Sequence, residues 1–71
     1  MNPDRNLEVR VATRLNAAVY AYNSADTRYK AALARKDHRE SRVLEVRRRR
    51  AAQALKIAQA RAIELGIEVN V

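Results

Sequence analysis

The sequence has no cysteine, tryptophan or phenylalanine, and only one glycine, one proline and one histidine in 71 residues. Without cysteine the chain cannot form disulfides, and it offers no thiolate metal ligands. His38 is the only strong nitrogen ligand, so we expect neither a metal nor another cofactor. A chain this short buries a limited core, and association with another chain is the remaining common source of stability.

Long apolar runs are also missing. No run approaches the roughly 20 residues that span a bilayer, and the N-terminal stretch MNPDRNLEVR lacks the apolar segment of a secretory signal. A basic helix lying on a membrane surface needs bulky apolar residues opposite its cations, and here that face is mostly alanine. We therefore expect a soluble, cytoplasmic protein with no membrane partner.

Helix-breaking residues lie only near the two ends of the chain. Pro3 and Gly66 are the single proline and glycine, and alanine supplies 14 residues, so nothing between these positions opposes helix formation. Asn2 can cap a helix that begins at Pro3, and Asp4 complements the positive end of its dipole. Gly66 suits the left-handed position after a helix. The sequence predicts an all-α protein.

Two stripes at helical spacing, here named the first and second seams, follow each other along the chain. Steps of four and three residues alternate from Val11 to Ala32 and from Leu44 to Leu65, which is typical of helices that pack together. The first seam consists of Leu7, Val11, Leu15, Ala18, Tyr22, Ala25, Tyr29, Ala32 and Leu33. The second seam consists of Leu44, Arg48, Ala51, Leu55, Ala58, Ala62 and Leu65. The second seam is shifted by one residue from a continuation of the first, so we expect a break between them.

Residues 37–40 are a plausible place for this break. Asp37 followed three residues later by Glu40 resembles a capping box, and Arg35 and Lys36 would complement the negative end of the preceding helix. We predict one hairpin domain with helices over 3–35 and 38–65, a turn over 36–38 and a tail over 66–71. Because alanine-rich seams bury little area, two such hairpins would dimerise into a four-helix bundle with a larger core.

Three alternatives to this predicted secondary structure remain. The main rival to the hairpin is one uninterrupted helix of about 60 residues, roughly 90 Å long. A weaker interruption is possible at Asn23–Ser24, because short polar side chains compete for backbone hydrogen bonds. In the tail, Ile67 and Val69 either fold back onto the helices or belong to a short strand that pairs with a partner.

The net charge of +7 is concentrated in one segment. Residues 1–34 contribute +2, residues 35–50 contribute +5, and residues 51–71 contribute zero. A basic cluster of this kind favours a polyanionic or acidic partner. We predict that the contacts are made by Arg35, Lys36, Arg39, Arg42, Arg47, Arg48, Arg49 and Arg50.

The run Arg47–Arg50 is unusual for a helix surface. Four consecutive residues sweep about 300° of the helix, so they cannot all face solvent, and the second seam directs Arg48 toward the other helix. Its stem could cover apolar surface while its guanidinium reaches water. Arg28 and Lys30 of the first helix are expected at the same level, so the hairpin would have a cationic end.

Part of this charge can be neutralised by surface ion pairs. The spacing predicts pairs between Asp26 and Lys30, between Glu45 and Arg49, and between Arg42 and Glu45. Subtracting them leaves the segment strongly positive. Arginines suit phosphate because the guanidinium is a planar fork of donors, and phosphate contacts give affinity without sequence preference.

Two functions remain open. The first is a non-enzymatic accessory protein that binds nucleic acid through phosphate contacts with little sequence specificity. The alternative is a helical interaction module that docks on a larger complex or enzyme through its seams and an acidic partner surface. Tyr22 and Tyr29 belong to the first seam, so Tyr20 is the only tyrosine left as a candidate for stacking on a base.

Catalytic sites are poorly supported by the sequence. Nucleophilic catalysis needs a base beside the nucleophile, and His38, the only histidine, is expected to be exposed in the turn. Glu40 and Glu45 are flanked by arginines and are better suited to ion pairs than to acid–base catalysis. A glycine-rich phosphate loop is impossible with one glycine. We expect a protein that is not an enzyme.

Overall fold

The computed structural model describes residues 3–67, with side chains from residue 6 onward, and it consists of two packed helices. Helix α1 spans Pro3–Ala34 and helix α2 spans His38–Glu64. The predicted all-α hairpin is confirmed, and a single uninterrupted helix is excluded. The molecule is elongated, with principal extents of 52 × 17 × 15 Å.

The helix boundaries differ from the predicted ones by one residue. Helix α1 ends at Ala34 rather than 35, the turn covers residues 35–37, and α2 ends at Glu64 rather than 65. His38 is the first residue of α2 and not part of the turn. Helix α1 also continues through Asn23–Ser24, so the suggested interruption there is wrong. Thr27 Oγ1 instead donates back to the Asn23 carbonyl at 2.9 Å.

The turn closes through Lys36, whose φ of 58° lies in the left-handed region. The Lys36 N–H donates to the Leu33 carbonyl at 3.0 Å, and the Asp37 N–H donates to the Ala32 carbonyl at 3.0 Å. This pair of bonds is the Schellman ending of a helix, which usually has glycine at the left-handed position. A lysine at this position leaves the turn strained but adds a cation beyond the helix C-terminus.

Helix α2 begins with an aspartate cap. The Asp37 carboxylate accepts a hydrogen bond of 3.1 Å from the Glu40 N–H, as the sequence predicts. The reciprocal half of a capping box is absent in this part of the described chain, because the Asp37 N–H already bonds to the Ala32 carbonyl. Asp37 therefore helps to end α1 through its N–H and starts α2 through its carboxylate.

The far end of α2 has a second Schellman ending, with Gly66 at φ 72°. The Ile67 N–H donates to the Ala62 carbonyl at 2.9 Å, and the Ile67 side chain packs against the core. The expected return of Ile67 onto the helices is confirmed. The expected roles of Asn2 and Val69, and the alternative tail strand beyond residue 67, lie outside the described residues.

The core between the helices is small and lies mainly toward the end opposite the turn. Val11, Leu15 and Ala62 form a buried cluster. Partly buried side chains that pack against it are Val19, Leu55, Ala58, Leu65 and Ile67. Nearer the turn the buried residues are Ala32, Leu44 and Ser41, and Ser41 Oγ donates to the His38 carbonyl at 3.0 Å. Within the described residues, neither helix has a stretch apolar and long enough to cross a membrane.

The two seams meet within the chain. Val11, Leu15, Ala32, Leu44 and Ala62 are buried. The seam positions that are partly buried are Ala18, Tyr22, Ala25, Tyr29, Arg48, Ala51, Leu55, Ala58 and Leu65. Leu7 and Leu33 are exposed, so the first seam is shorter than the sequence pattern indicates.

Candidate nucleic-acid interface

The turn places the basic residues at one end of the hairpin. Arg35 and Lys36 lie in the turn itself, and Arg39 and Arg42 occupy the first turns of α2. All four side chains are exposed. The run Arg47–Arg50 follows about two to three helical turns from the start of α2. This end of the hairpin, covering residues 28–50, is the cationic tip.

Arg48 occupies the second seam and faces α1. Its guanidinium donates to Asp26 Oδ1 at 3.1 Å, and its Cζ atom lies 4.7 Å from the centre of the Tyr29 ring. The side chain is 36% exposed. The predicted inward orientation of Arg48 is confirmed, and the structure supplies its reason: a carboxylate and an aromatic face on α1 receive the charge.

Asp26 is shared by two cations. Lys30 Nζ lies 3.0 Å from Asp26 Oδ2, while Arg48 contacts the other oxygen. The hydrogen bond from Lys30 is the largest influence that lowers the pKa of Asp26, followed by the attraction of Lys30 and Arg48, and partial desolvation opposes them. The carboxylate is therefore held in its charged form. The sequence predicts the local pair with Lys30, but not the bond to Arg48, which joins residues 22 positions apart.

Arg49 is the other member of the run that pairs with a carboxylate. Its Nη2 lies 2.7 Å from Glu45 Oε1, as the i,i+4 spacing predicts. The expected pair between Arg42 and Glu45 is not formed, and Glu45 pairs with Arg49 alone among the described residues. Within the described residues Arg42 therefore has no carboxylate partner.

Most cations of the cationic tip remain unpaired within the described chain. Lys30, Arg48 and Arg49 have carboxylate partners. The cations without one are Arg28, Arg35, Lys36, Arg39, Arg42, Arg47 and Arg50. Each is exposed or nearly so, and seven like charges in about 23 residues produce a positive potential at this end of the molecule.

A groove of about 350 Å³ lies between the helices at the inner edge of the cationic tip and extends away from the turn. Arg28 of α1 and Arg47 of α2 both line it, together with Tyr20 and small side chains such as Ala21 and Ala51. Tyr20 is 77% exposed. The sequence predicts that Arg28 lies at the same height along the hairpin as the run Arg47–Arg50. Only the packing of the helices shows that Arg28, Arg47 and Tyr20 share one groove.

His38 is exposed at the start of α2, and the described residues contain no cluster of three histidine, aspartate or glutamate side chains that could hold a metal ion. This surface presents guanidinium and ammonium groups beside the Tyr20 ring, together with the carboxylates of Asp37, Glu40 and Glu45. Comparison of the chain with protein-family models, curated proteins and solved structures gave no match.

Proposed function

We propose that this protein is a small, non-enzymatic nucleic-acid-binding protein that contacts the phosphate backbone with little sequence specificity. The observation that carries the proposal is the set of seven exposed cations of the cationic tip that have no carboxylate partner within the described residues. Binding of phosphate to such groups releases counterions and requires no displacement of internal ion pairs. Arg48 is held by Asp26 and Tyr29, and it acts here as support for the helix pair.

The groove beside the cationic tip would orient a bound phosphate backbone along the helices. Arg28 and Arg47 stand on different helices, so a backbone lying along the groove meets a guanidinium from each. Tyr20 offers an exposed ring within the same groove. Positive grooves with aromatic rings suit unpaired strands, because bases stack on the ring without regard to sequence. We therefore expect tighter binding to single strands than to duplexes of equal length.

The proposal includes a homodimer. The accessible surface of the chain is 5876 Å², whereas a compact monomer of 8.1 kDa exposes about 4,500 Å². The excess is comparable with the share of one subunit in a large interface. The buried parts of both seams are already used within the chain, so the dimer contact must involve other faces. In this proposal the protein acts in the cytoplasm.

Fluorescence anisotropy with labelled random-sequence single strands and duplexes, over a salt series, tests the proposal. The tip variant carries glutamine at Arg35, Lys36, Arg39 and Arg42. The control variant loses the same charge elsewhere, with glutamine at Arg10, Arg14, Lys56 and Arg61. On duplex DNA, the slope of log affinity against log salt should fall by about 3.6 in the tip variant if all four contact phosphates.

The control variant should keep the slope of the unmodified protein. Absence of binding at low salt, or equal losses in the two variants, would refute the proposal. The dimer is tested separately by light scattering: a folded monomer at micromolar concentration contradicts it without affecting the binding result.

A further inference from the structure

A second groove lies at the end of the hairpin opposite the turn and is termed the base groove. Its volume is about 550 Å³. On α1 its lining extends from Leu7 to Ala18, which is about 16 Å or three helical turns. Its apolar lining includes Val11, Ala54 and Ala58, and the larger side chains Leu7 and Ile57 are 38% and 64% exposed.

Three arginines line the same groove: Arg10 and Arg14 from α1, and Arg61 from α2. Arg10 and Arg14 lie one turn apart, and neither has a carboxylate partner among the described side chains. Arg61 Nη1 lies 3.4 Å from Glu64 Oε2, and both side chains are more than half exposed. Such a surface pair is weak and exchanges readily for another carboxylate.

We infer that the base groove binds an acidic amphipathic helix of a partner protein. Helices dock into hydrophobic grooves through apolar residues spaced at i, i+3, i+4 and i+7. The alanines of the lining allow close approach, and about three turns of a bound helix match the groove length. Carboxylates beside the apolar stripe of that helix would pair with Arg10, Arg14 and Arg61.

The charges argue against a second copy of this chain in the base groove. A symmetric contact through this face would bring the same three arginines of both copies together, and like charges facing each other at an interface are unfavourable. An acidic helix would instead bring carboxylates to these arginines, and the contact would be attractive. The apolar lining also distinguishes this groove from the cationic tip, because a phosphate backbone leaves Leu7 and Ile57 uncovered. The inference therefore does not depend on the proposed nucleic-acid binding.

The test uses the full chain and a labelled peptide of 14 residues that has leucines at helical spacing and glutamates on both sides of them. A scrambled peptide of equal composition loses the apolar stripe and keeps the charge. We expect the ordered peptide to bind at least tenfold more tightly than the scrambled one, as measured by fluorescence anisotropy.

Two variants of the protein locate the contact. The double variant Arg10→Gln with Arg14→Gln should weaken peptide binding at least tenfold, while Arg39→Gln with Arg42→Gln, which removes the same charge at the cationic tip, should leave it unchanged. Ala54 is exposed, so Ala54→Trp fills the groove without entering the core and should also weaken binding at least tenfold. Circular dichroism confirms that each variant remains helical.

Several results would overturn the inference. They are absence of binding to the ordered peptide, equal binding of the scrambled peptide, and equal losses in the two double variants. Sedimentation gives a further decisive outcome: if Ala54→Trp converts a dimer into a monomer, the groove is occupied by a second copy and the proposed partner is wrong.

Discussion

Arg48 of α2 donates a hydrogen bond of 3.1 Å to Asp26 of α1, and this bond joins the two helices about two to three helical turns from the interhelical turn. Arg48 stands at a seam position where leucine or alanine is the usual residue. Its Cζ atom also lies 4.7 Å from the centre of the Tyr29 ring. A charged residue is therefore built into the packing surface, with its charge satisfied by the opposite helix.

Replacement of Arg48 should destabilise the hairpin more than replacement of its neighbour Arg49. Arg48→Ala removes the interhelical hydrogen bond, the contact with the Tyr29 ring and the apolar packing of the arginine side-chain stem. Together these contribute about 1 kcal/mol. Arg49 is 77% exposed and pairs only within α2, so Arg49→Ala should change the free energy of unfolding by less than about 0.5 kcal/mol. Urea unfolding measures both, and equal effects would contradict the assigned role of Arg48.

The stability contributed by Asp26 should depend on acid pH. Neighbouring cations lower the pKa of folded Asp26, whereas the unfolded aspartate has a pKa of about 3.9. The contribution is therefore present above about pH 4 and is lost as the pH falls through the lower pKa of the folded state. The melting temperatures of the unmodified protein and Asp26→Asn should differ by a constant amount above about pH 5 and should converge as the pH falls from about 4 toward the lowered pKa of folded Asp26. A constant difference down to pH 2 would contradict this.

The two Schellman endings predict opposite effects for two substitutions. Lys36 has φ 58°, and this left-handed conformation costs a residue with a Cβ atom about 1 kcal/mol. Lys36→Gly should therefore raise the free energy of unfolding by about that amount. Gly66 has φ 72°, and a Cβ atom there would meet nothing within 4 Å. Gly66→Ala should therefore lower stability by about 1 kcal/mol through backbone strain alone. Thermal unfolding that shifts both variants in the same direction would refute the comparison.

The cap of α2 should depend on Asp37 and not on the side chain of Glu40. Asp37→Ala removes the acceptor of the Glu40 N–H and should cost about 1 kcal/mol, while Asp37→Ser should retain most of the stability. Glu40→Ala should cost clearly less than Asp37→Ala, because the Asp37 N–H bonds to the Ala32 carbonyl and is not available to the Glu40 side chain. Chemical denaturation of the three variants distinguishes this half-formed cap from a complete capping box.

Tyr20 and Tyr22 should separate binding from stability. Tyr20 is 77% exposed, so Tyr20→Ala should leave the unfolding free energy nearly unchanged and weaken single-strand binding by about 1–3 kcal/mol. Tyr22 is partly buried in the first seam, so Tyr22→Ala should lower stability by more than about 1 kcal/mol. If Tyr20→Ala binds single strands as tightly as the unmodified protein, the Tyr20 ring is not part of the proposed interface.

The sequence by itself determined the helical class, the place of the break and the cap at Asp37. These depend on local chemistry: propensity, the slip of the seams near residue 37, and hydrogen bonds that span a few positions. The position of the basic segment at one end of the hairpin follows directly from the place of the turn. The one-residue error at the end of α1 arose because Lys36 adopts a left-handed conformation that its residue type does not favour.

The tertiary structure alone decided which side chains meet across the helices. The bond between Asp26 and Arg48 joins positions 22 residues apart, and their rotation about the two helix axes is set by packing of the seams. The same rotation brings Arg28, Arg47 and Tyr20 into one groove, and Arg10, Arg14 and Arg61 into the base groove. Spacing along one helix specifies a face, but only the contact between two helices specifies which faces border a common groove.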